Sequence, residues 1–257
     1  MARRILFALL VTMSCFLVLL GSCSNLQLKP NSNLTVYKQK AFLQLINTTT
    51  VNICKAKQCQ KRSMVSYGSS AIFKHTEKHT YLITAAHNFR GPRINPRFLM
   101  ALKASGATVH LSSSVKVRSF SGRDYKVLQV VESNQLSDLA VFKIKRANLP
   151  HYEISTRHPQ KGDKLYNISA PRGFYGRSMA FMTTGMVLGY QAFYLSNLGV
   201  YMAHSCPTAK GSSGSPVLNT RGEIVGVTSR VLIGFQHIAF ASSLMAIREI
   251  TSGISED

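Results

Sequence analysis

Short runs of β-branched and alternating apolar residues, separated by polar or glycine-containing turns, recur along nearly the whole chain after residue 40 and restrict it to an all-β fold. A first set occupies 42–53, 67–73, 80–86, 107–111, 115–120, 126–131 and 139–145; a second occupies 164–169, 179–189, 193–203, 215–218, 223–229 and 236–241. Residues 242–252 differ: behind a serine start their apolar positions return at helical spacing, which predicts one closing C-terminal helix. A chain of 257 residues, 45% of them hydrophobic, can bury a real core, and all-β folds commonly use about 200 residues for one domain.

Between two of the later runs lies Gly211-Ser212-Ser213-Gly214-Ser215-Pro216. A serine set between glycines in a tight turn can present its hydroxyl together with free backbone N–H groups, a nucleophile and an oxyanion hole in one loop. Such loops are commonly no more than turns, so the reading needs a base and an orienting carboxylate. Tyr81-Leu82-Ile83-Thr84-Ala85-Ala86-His87 puts a histidine just past one β run, and Ser137-Asp138-Leu139-Ala140-Val141-Phe142 opens another with an aspartate. The order His…Asp…Ser is one of three that give the same triad geometry on unrelated folds. Of the other histidines, His204 and His237 flank the nucleophile segment and are placed to line a substrate pocket; His75, His79, His110, His151 and His158 lack any matching context.

Over roughly residues 40–250 these segments resemble the chymotrypsin-fold serine proteases, nearest to the trypsin-like branch that contains the HtrA and V8-like (glutamyl endopeptidase) enzymes. Tyr67-Gly68-Ser69-Ser70-Ala71-Ile72-Phe73 resembles the Gly-Ser-rich strand that opens such domains. Ala170-Pro171-Arg172-Gly173 resembles their G-N-P-x-G turn, and Thr184-Gly185 their T-x-G element. The resemblance implies two six-stranded antiparallel β-barrels, about 41–150 and 160–241, followed by the short helix, within a protease domain of 41–252. It implies His87 as general base, Asp138 as its orienter, Ser213 as nucleophile, and the N–H groups of Gly211 and Ser213 as the oxyanion hole. No metal or organic cofactor is implied. Six positions before the nucleophile, where trypsin-like enzymes use an acid to select basic side chains, stands Pro207. Where V8-like enzymes carry a histidine after the nucleophile, Thr228 follows Gly226-Val227. Pro207, Val227, Thr228 and Ser229 are therefore the expected pocket residues, a weakly polar lining suited to uncharged side chains. A PDZ domain after the helix is not expected.

Arg3-Arg4 ahead of the apolar run Ile5–Leu20 reads as an export signal occupying 1–23. Leu20-Gly21-Ser22-Cys23 resembles a bacterial lipobox, with Cys23 as the acylated residue; plain cleavage near Ser22 or Ser24 and an uncleaved anchor are the alternatives. All three place the domain outside the cytoplasm. Residues 24–40 read as a polar tether. Cys54 and Cys59 flank a short basic loop and are expected to form a disulfide in an oxidising compartment, since no further ligand cluster accompanies them as a metal pair; Cys206 is then unpaired.

A formal charge of +21 predicts attraction to anionic surfaces. The absence of a nucleic-acid motif or aromatic-basic ladder argues against specific DNA or RNA binding. The expected function is a secreted or membrane-tethered serine endopeptidase acting on protein or peptide substrates. The alternative is a catalytically silent protein of the same fold that binds an anionic membrane or partner surface.

Overall fold

The computed structural model describes residues 39–254 apart from 56–57, 91–94, 177–179, 194–197, 233–234 and 236. The expected signal, Cys23 and nearly all of the tether lie outside the described residues. Thirteen strands follow one another as β1 (Phe42–Lys55), β2 (Gln58–His75), β3 (His79–Ala85), β4 (Thr108–Arg118), β5 (Asp124–Lys126), β6 (Gln129–Asn134), β7 (Leu139–Lys145), β8 (Lys164–Ser169), β9 (Phe181–Phe193), β10 (Leu198–His204), β11 (Pro216–Leu218), β12 (Ile224–Val231) and β13 (Ala239–Ser243). Two helices, α1 (Pro96–Ala104) and α2 (Leu244–Ser252), complete the described fold.

The second set of strands closes into a six-stranded antiparallel barrel in the order β10-β13-β12-β11-β8-β9. The first set forms a seven-stranded antiparallel sheet, β5-β4-β1-β2-β3-β7-β6. The runs expected at 107–111 and 115–120 are one strand, β4, because Ser112–Ser114 pair with Thr48–Thr50 of β1 without a break. The run expected at 126–131 is instead split between the two edges. Val127 donates its N–H to Val115 O beside β4, whereas Leu128 donates to Lys143 O beside β7, so the chain crosses from one edge to the other between these residues. This crossing rolls the sheet toward its own opposite edge, and the architecture is chymotrypsin-like.

Three apolar clusters follow from the period-2 alternation of the strands. In β7, Leu139 and Val141 face one cluster while Phe142 and Ile144 face another. The second of these fills the first sheet, with Leu43, Leu45, Ile72 and Leu82. Leu165, Val187, Met202, Val217 and Val225 fill the barrel. The cluster holding Leu139 and Val141 also takes Phe42, Tyr152, Leu218 and Val227, together with Ile247 and Ile250 of α2, so it joins the two halves. The Ser243 hydroxyl accepts from Ala246 N–H at the start of α2, the cap that the serine start predicted. Helix α1 was not anticipated, although Asn95-Pro96 is a start signal: the Asn95 side chain accepts from Arg97 N–H and Pro96 needs no donor at the first turn.

His204 on β10 is fully buried, and among the described residues neither ring nitrogen has a hydrogen-bond partner. Met202 and Cys206, two residues to either side, belong to the barrel cluster. Burial pushes the His204 imidazole down from 6.5 to about 4, so it is neutral in the fold. A depressed histidine pKa means that the unfolded chain binds a proton the folded chain refuses, so stability is lost as pH falls from about 6.5 toward about 4. The melting temperature of the wild type is therefore expected to fall more steeply between pH 7 and pH 5 than that of His204→Leu. Parallel curves would mean that this ring does not titrate with unfolding.

Candidate active site

His87 lies in a single 3-10 turn, Ala86–Phe89, directly after β3, and Asp138 immediately precedes β7. Because β3 and β7 pair from His79↔Lys145 to Ala85↔Leu139, the end of one strand lies beside the start of the other. Backbone bonds fix the join: Ala86 N–H donates to Asp138 O (3.0 Å), and His87 N–H donates to Asp138 Oδ1 (3.0 Å). The ring follows, with His87 Nδ1 2.7 Å from Asp138 Oδ2. An ionised carboxylate can only accept, so Nδ1 carries the proton and Nε2 keeps its lone pair. Asp138 has φ 52°, a conformation that Asp tolerates better than most residues but that costs on the order of 1 kcal/mol. Asn134 Oδ1 secures the turn before it by accepting from Leu136 and Ser137 N–H (2.9 and 3.2 Å).

A third donor reaches the carboxylate from the other half of the molecule: the Ser229 hydroxyl on β12 donates to the same Oδ2. Burial alone would raise the Asp138 pKa. The hydrogen bond and charge of His87, then the Ser229 hydroxyl and the His87 backbone N–H, outweigh it and hold the carboxyl below its usual range.

Ser213 sits in the loop between β10 and β11, flanked by Gly211 (φ 100°) and Gly214 (φ 87°). A Cβ on Gly214 would lie 2.1 Å from both Ser69 O and Thr84 Oγ1, so this position admits only glycine. Ser69 on β2 clamps the loop: its N–H donates to Ser213 O (2.8 Å) and its hydroxyl donates to Gly211 O (2.9 Å) while accepting from Ala170 N–H (3.2 Å). Asn88, beside His87, donates Nδ2 to the same Ser213 O (2.9 Å).

The two N–H groups expected in the oxyanion hole are oriented by the carbonyls of their own peptide planes. Lys210 O accepts from Arg172 N–H, which turns the Gly211 N–H of that peptide the opposite way. Ser212 O accepts from Ser215 N–H (3.0 Å), which does the same for the Ser213 N–H. Among the described residues, neither N–H has a backbone acceptor. Arg172 adopts φ 52° to make its contact, so the turn that the sequence marked only by resemblance holds the loop in place. The Ser213 hydroxyl lies 3.5 Å from Ser229 O, at the limit of a hydrogen bond, and among the described residues none joins it to His87 Nε2. One χ1 rotation separates such serine rotamers.

Beside Ser213 opens a cavity of 210 Å³ walled by residues 208–210 and 212–213 of the loop and by 228–231 of β12. Of the residues expected in a substrate pocket, Thr228 and Ser229 are in its wall. Val227 is not, because strand alternation turns it into the shared apolar cluster, and exposed Pro207 lies outside the lining, its carbonyl accepting from Thr183 Oγ1 (3.2 Å). Lys210 and Arg230 contribute two cations to the lining, which contains no carboxylate among the described residues. His204 is shut in the barrel core and His237 is exposed and absent from the lining, so neither is a pocket residue. Cys54 and Cys59 form the expected disulfide, and Cys206 is a free, buried thiol.

Sequence reasoning missed Ser229's bond to Asp138, Ser69 and Asn88. Ser69 and Asn88 adjoin motifs that were visible, but their role lies in contacts 125 or more residues away along the chain, which no local pattern carries.

Residues 68–227 match the family described as Trypsin-like peptidase domain, and the chain belongs to that family. It is 30% identical over 146 residues to a Chlamydia pneumoniae protein described as a probable periplasmic serine endoprotease, DegP-like, covering 54% of this chain and 29% of that one. A Hahella chejuensis protein of the same description is 27% identical over 119 residues, covering 44% of this chain and 24% of that one. The chain thus spans under a third of the length of these relatives. Among solved structures, the active form of the Rv3671c protease from M. tuberculosis superposes with a TM-score of 0.62 at 13% identity, over 88% of this chain and 86% of that one. The HtrA-type protease AlgW with a decapeptide gives 0.64 at 20% identity, over 86% and 66%. At these identities the structural likeness speaks for the fold.

Two substitutions test the carboxylate. In the serine-protease triad, replacing the orienting Asp by Asn lowers kcat by about 10⁴, and Asp138→Asn is expected to lose turnover of an ester or peptide substrate on that order. Ser229→Ala removes one of the donors to Oδ2 and is expected to cost on the order of tenfold in kcat with little change in KM, as about 1.4 kcal/mol corresponds to one decade. Unchanged kcat in both variants would show that Asp138 orients nothing used in the reaction.

Proposed function

We propose that this protein is an extracytoplasmic serine endopeptidase, secreted or held on a membrane by lipid at Cys23, that hydrolyses peptide bonds through an acyl-enzyme on Ser213. The observation that carries the reading is the convergence at one cleft of the His87–Asp138 pair and a serine loop whose Gly211 and Ser213 N–H groups have no backbone acceptor among the described residues. Membership in the peptidase family and relatives described as periplasmic serine endoproteases support it.

The chemistry follows from the atoms in place. Rotation about χ1 brings the Ser213 hydroxyl to His87 Nε2, which takes the proton as Oγ attacks the scissile carbonyl carbon. The carbonyl π electrons move to oxygen, and the resulting oxyanion is received by Gly211 and Ser213 N–H. His87 passes its proton to the departing amine as the C–N bond breaks, leaving the acyl group on Ser213. Water attacks the ester with His87 again as base, releasing the acid and restoring the hydroxyl. Asp138 stays ionised throughout, stabilising the imidazolium and fixing its orientation.

The cavity beside Ser213 takes the side chain on the acyl side of the scissile bond. A lysine or arginine there would meet Lys210 and Arg230 without a counter-charge, so the cavity favours neutral or acidic side chains.

Digestion of an unfolded protein such as reduced casein, followed with wild type beside Ser213→Ala, tests the reading: wild type is expected to fragment it and the variant to lose all but a trace of the activity. A folded wild type that leaves protein, peptide and small-ester substrates intact contradicts it and favours a catalytically silent binding protein. Within peptides differing only at the residue before the scissile bond, lysine is expected to give the lowest kcat/KM, at least tenfold below glutamine. A preference for lysine would remove the assignment of this cavity.

A further inference from the structure

The charge of the first sheet is not used by the site. Glu77 is the one acidic residue of the sequence before Asp124, although the same stretch carries Lys55, Lys61, Arg62, Arg97 and Lys103 among many other cations. Lys55, Lys61 and Arg62 lie on the paired outer ends of β1 and β2, and Arg97 and Lys103 on helix α1, which contacts β4. Beyond Thr50, the outer half of β1 pairs on one side with β2, from Val51↔Arg62 to Lys55↔Gln58, and on the other with β4, from Val51↔Leu111 to Cys54↔Thr108. The three strands make a blade. Residues 58–63 and 110–114 on it are exposed, and the Cys54–Cys59 disulfide closes its tip.

Register sorts the blade into two unlike faces, since directly opposed residues of antiparallel strands share a face. One face carries Val51, Ile53, Val109 and Leu111, bordered by Arg62 and Gln60; Val51 is buried, Ile53 and Val109 are half-buried and Leu111 is exposed. The opposite face carries Asn52, Lys61 and His110 with a row of hydroxyls. Helix α1 leads into β4 and contacts it, and it holds Phe98 and Met100 at 51% and 70% exposure between Arg97 and Lys103. Exposed apolar side chains bordered by lysine and arginine, with no acid among them, match an interface of acyl chains below and phosphates above. A single-stranded nucleic acid is a poorer fit: it would require a row of stacking platforms, and apart from Phe98 on α1 this surface offers none, since strands 50–66 and 108–114 contain no Phe, Tyr or Trp.

We propose that this blade, with α1 beside it, docks the protein on a bilayer rich in anionic headgroups. The blade meets the bilayer tip first, so that the cations of both its faces, Lys61 on one and Lys55 and Arg62 on the other, lie on the phosphates with Arg97 and Lys103, while Phe98, Met100 and Leu111 enter the headgroup boundary. The docking goes beyond the protease reading and does not need it: a chain unable to cleave peptides would still bind. It is separate from any anchor at the N-terminus, which would hold the chain equally on neutral and anionic bilayers.

Partition of the full chain onto vesicles of phosphatidylcholine alone, and with 30 mol% (about one lipid in three) phosphatidylglycerol, isolates the blade as the ratio of the two affinities. At roughly 1 kcal/mol per cation near such a surface, the wild-type ratio is expected to exceed tenfold and to fall at least tenfold in Lys61→Glu/Arg62→Glu. The same charge change at exposed positions off the blade, Lys145→Glu/Lys161→Glu, is expected to alter it less than threefold. An equal loss in both double variants, or no anionic preference in the wild type, overturns the proposal. The chain has no tryptophan, so Phe98→Trp supplies a single reporter. Its emission is expected to shift to the blue on anionic vesicles only, and an unshifted emission on bound vesicles contradicts insertion. If the blade instead joins a second copy of the chain, light scattering without lipid will show Lys61→Glu/Arg62→Glu lowering the mass, which also overturns it.

Discussion

The Asp138 carboxylate is the point on which the rest of the site depends. It takes hydrogen bonds from the His87 ring and backbone beside the first sheet and from Ser229 in the barrel, so one buried side chain joins His87 to the opposite half of the fold. A carboxylate buried alone would be driven toward its neutral form; these donors keep it charged. Its charge sets the histidine tautomer, and its place at the start of β7 is fixed by the same register that aligns β3.

The nucleophile loop depends on the first sheet in the same way. Ser69 and Asn88 hold the carbonyls of Gly211 and Ser213, and Arg172 holds that of Lys210. Each contact fixes a carbonyl of the loop, and each comes from a segment distant in sequence. The shared apolar cluster that includes Leu139, Val141, Val227 and Ile247 keeps the two halves in register while these short contacts are made. Preorganisation here is the property of an interface between two packed sheets rather than of the glycine-rich loop alone.

How much of this could be read from the chain varies with the range of the interactions. His87, Asp138 and Ser213 stand in short local patterns, and the strand alternation around them is also local, so the all-β class, the closed barrel, the C-terminal helix and the proximity of His87 to Asp138 were legible. The ends of the strands were less so. Residues 58–66 are largely polar and belong to β2 because β1 pairs with them and a disulfide closes the hairpin, neither of which leaves an apolar alternation. The crossing at Val127–Leu128 depends on two edges meeting. In the cavity beside Ser213, Thr228 and Ser229 are in the wall and Val227 is not, because successive residues of a strand face opposite sides and Val227 packs into the shared apolar cluster. Lys210 and Arg230 join that wall through the fold of the loop and of β12, which no local pattern of the sequence marks.

The central claim is that an activated serine is assembled at this interface. Mass spectrometry of the full chain after treatment with a fluorophosphonate tests it most directly, because that reagent needs an activated hydroxyl and no particular substrate. The account predicts one adduct, on the peptide containing Ser213, formed rapidly by wild type and slowed severely in His87→Ala. A folded chain that gains no adduct, or gains one elsewhere, would contradict it.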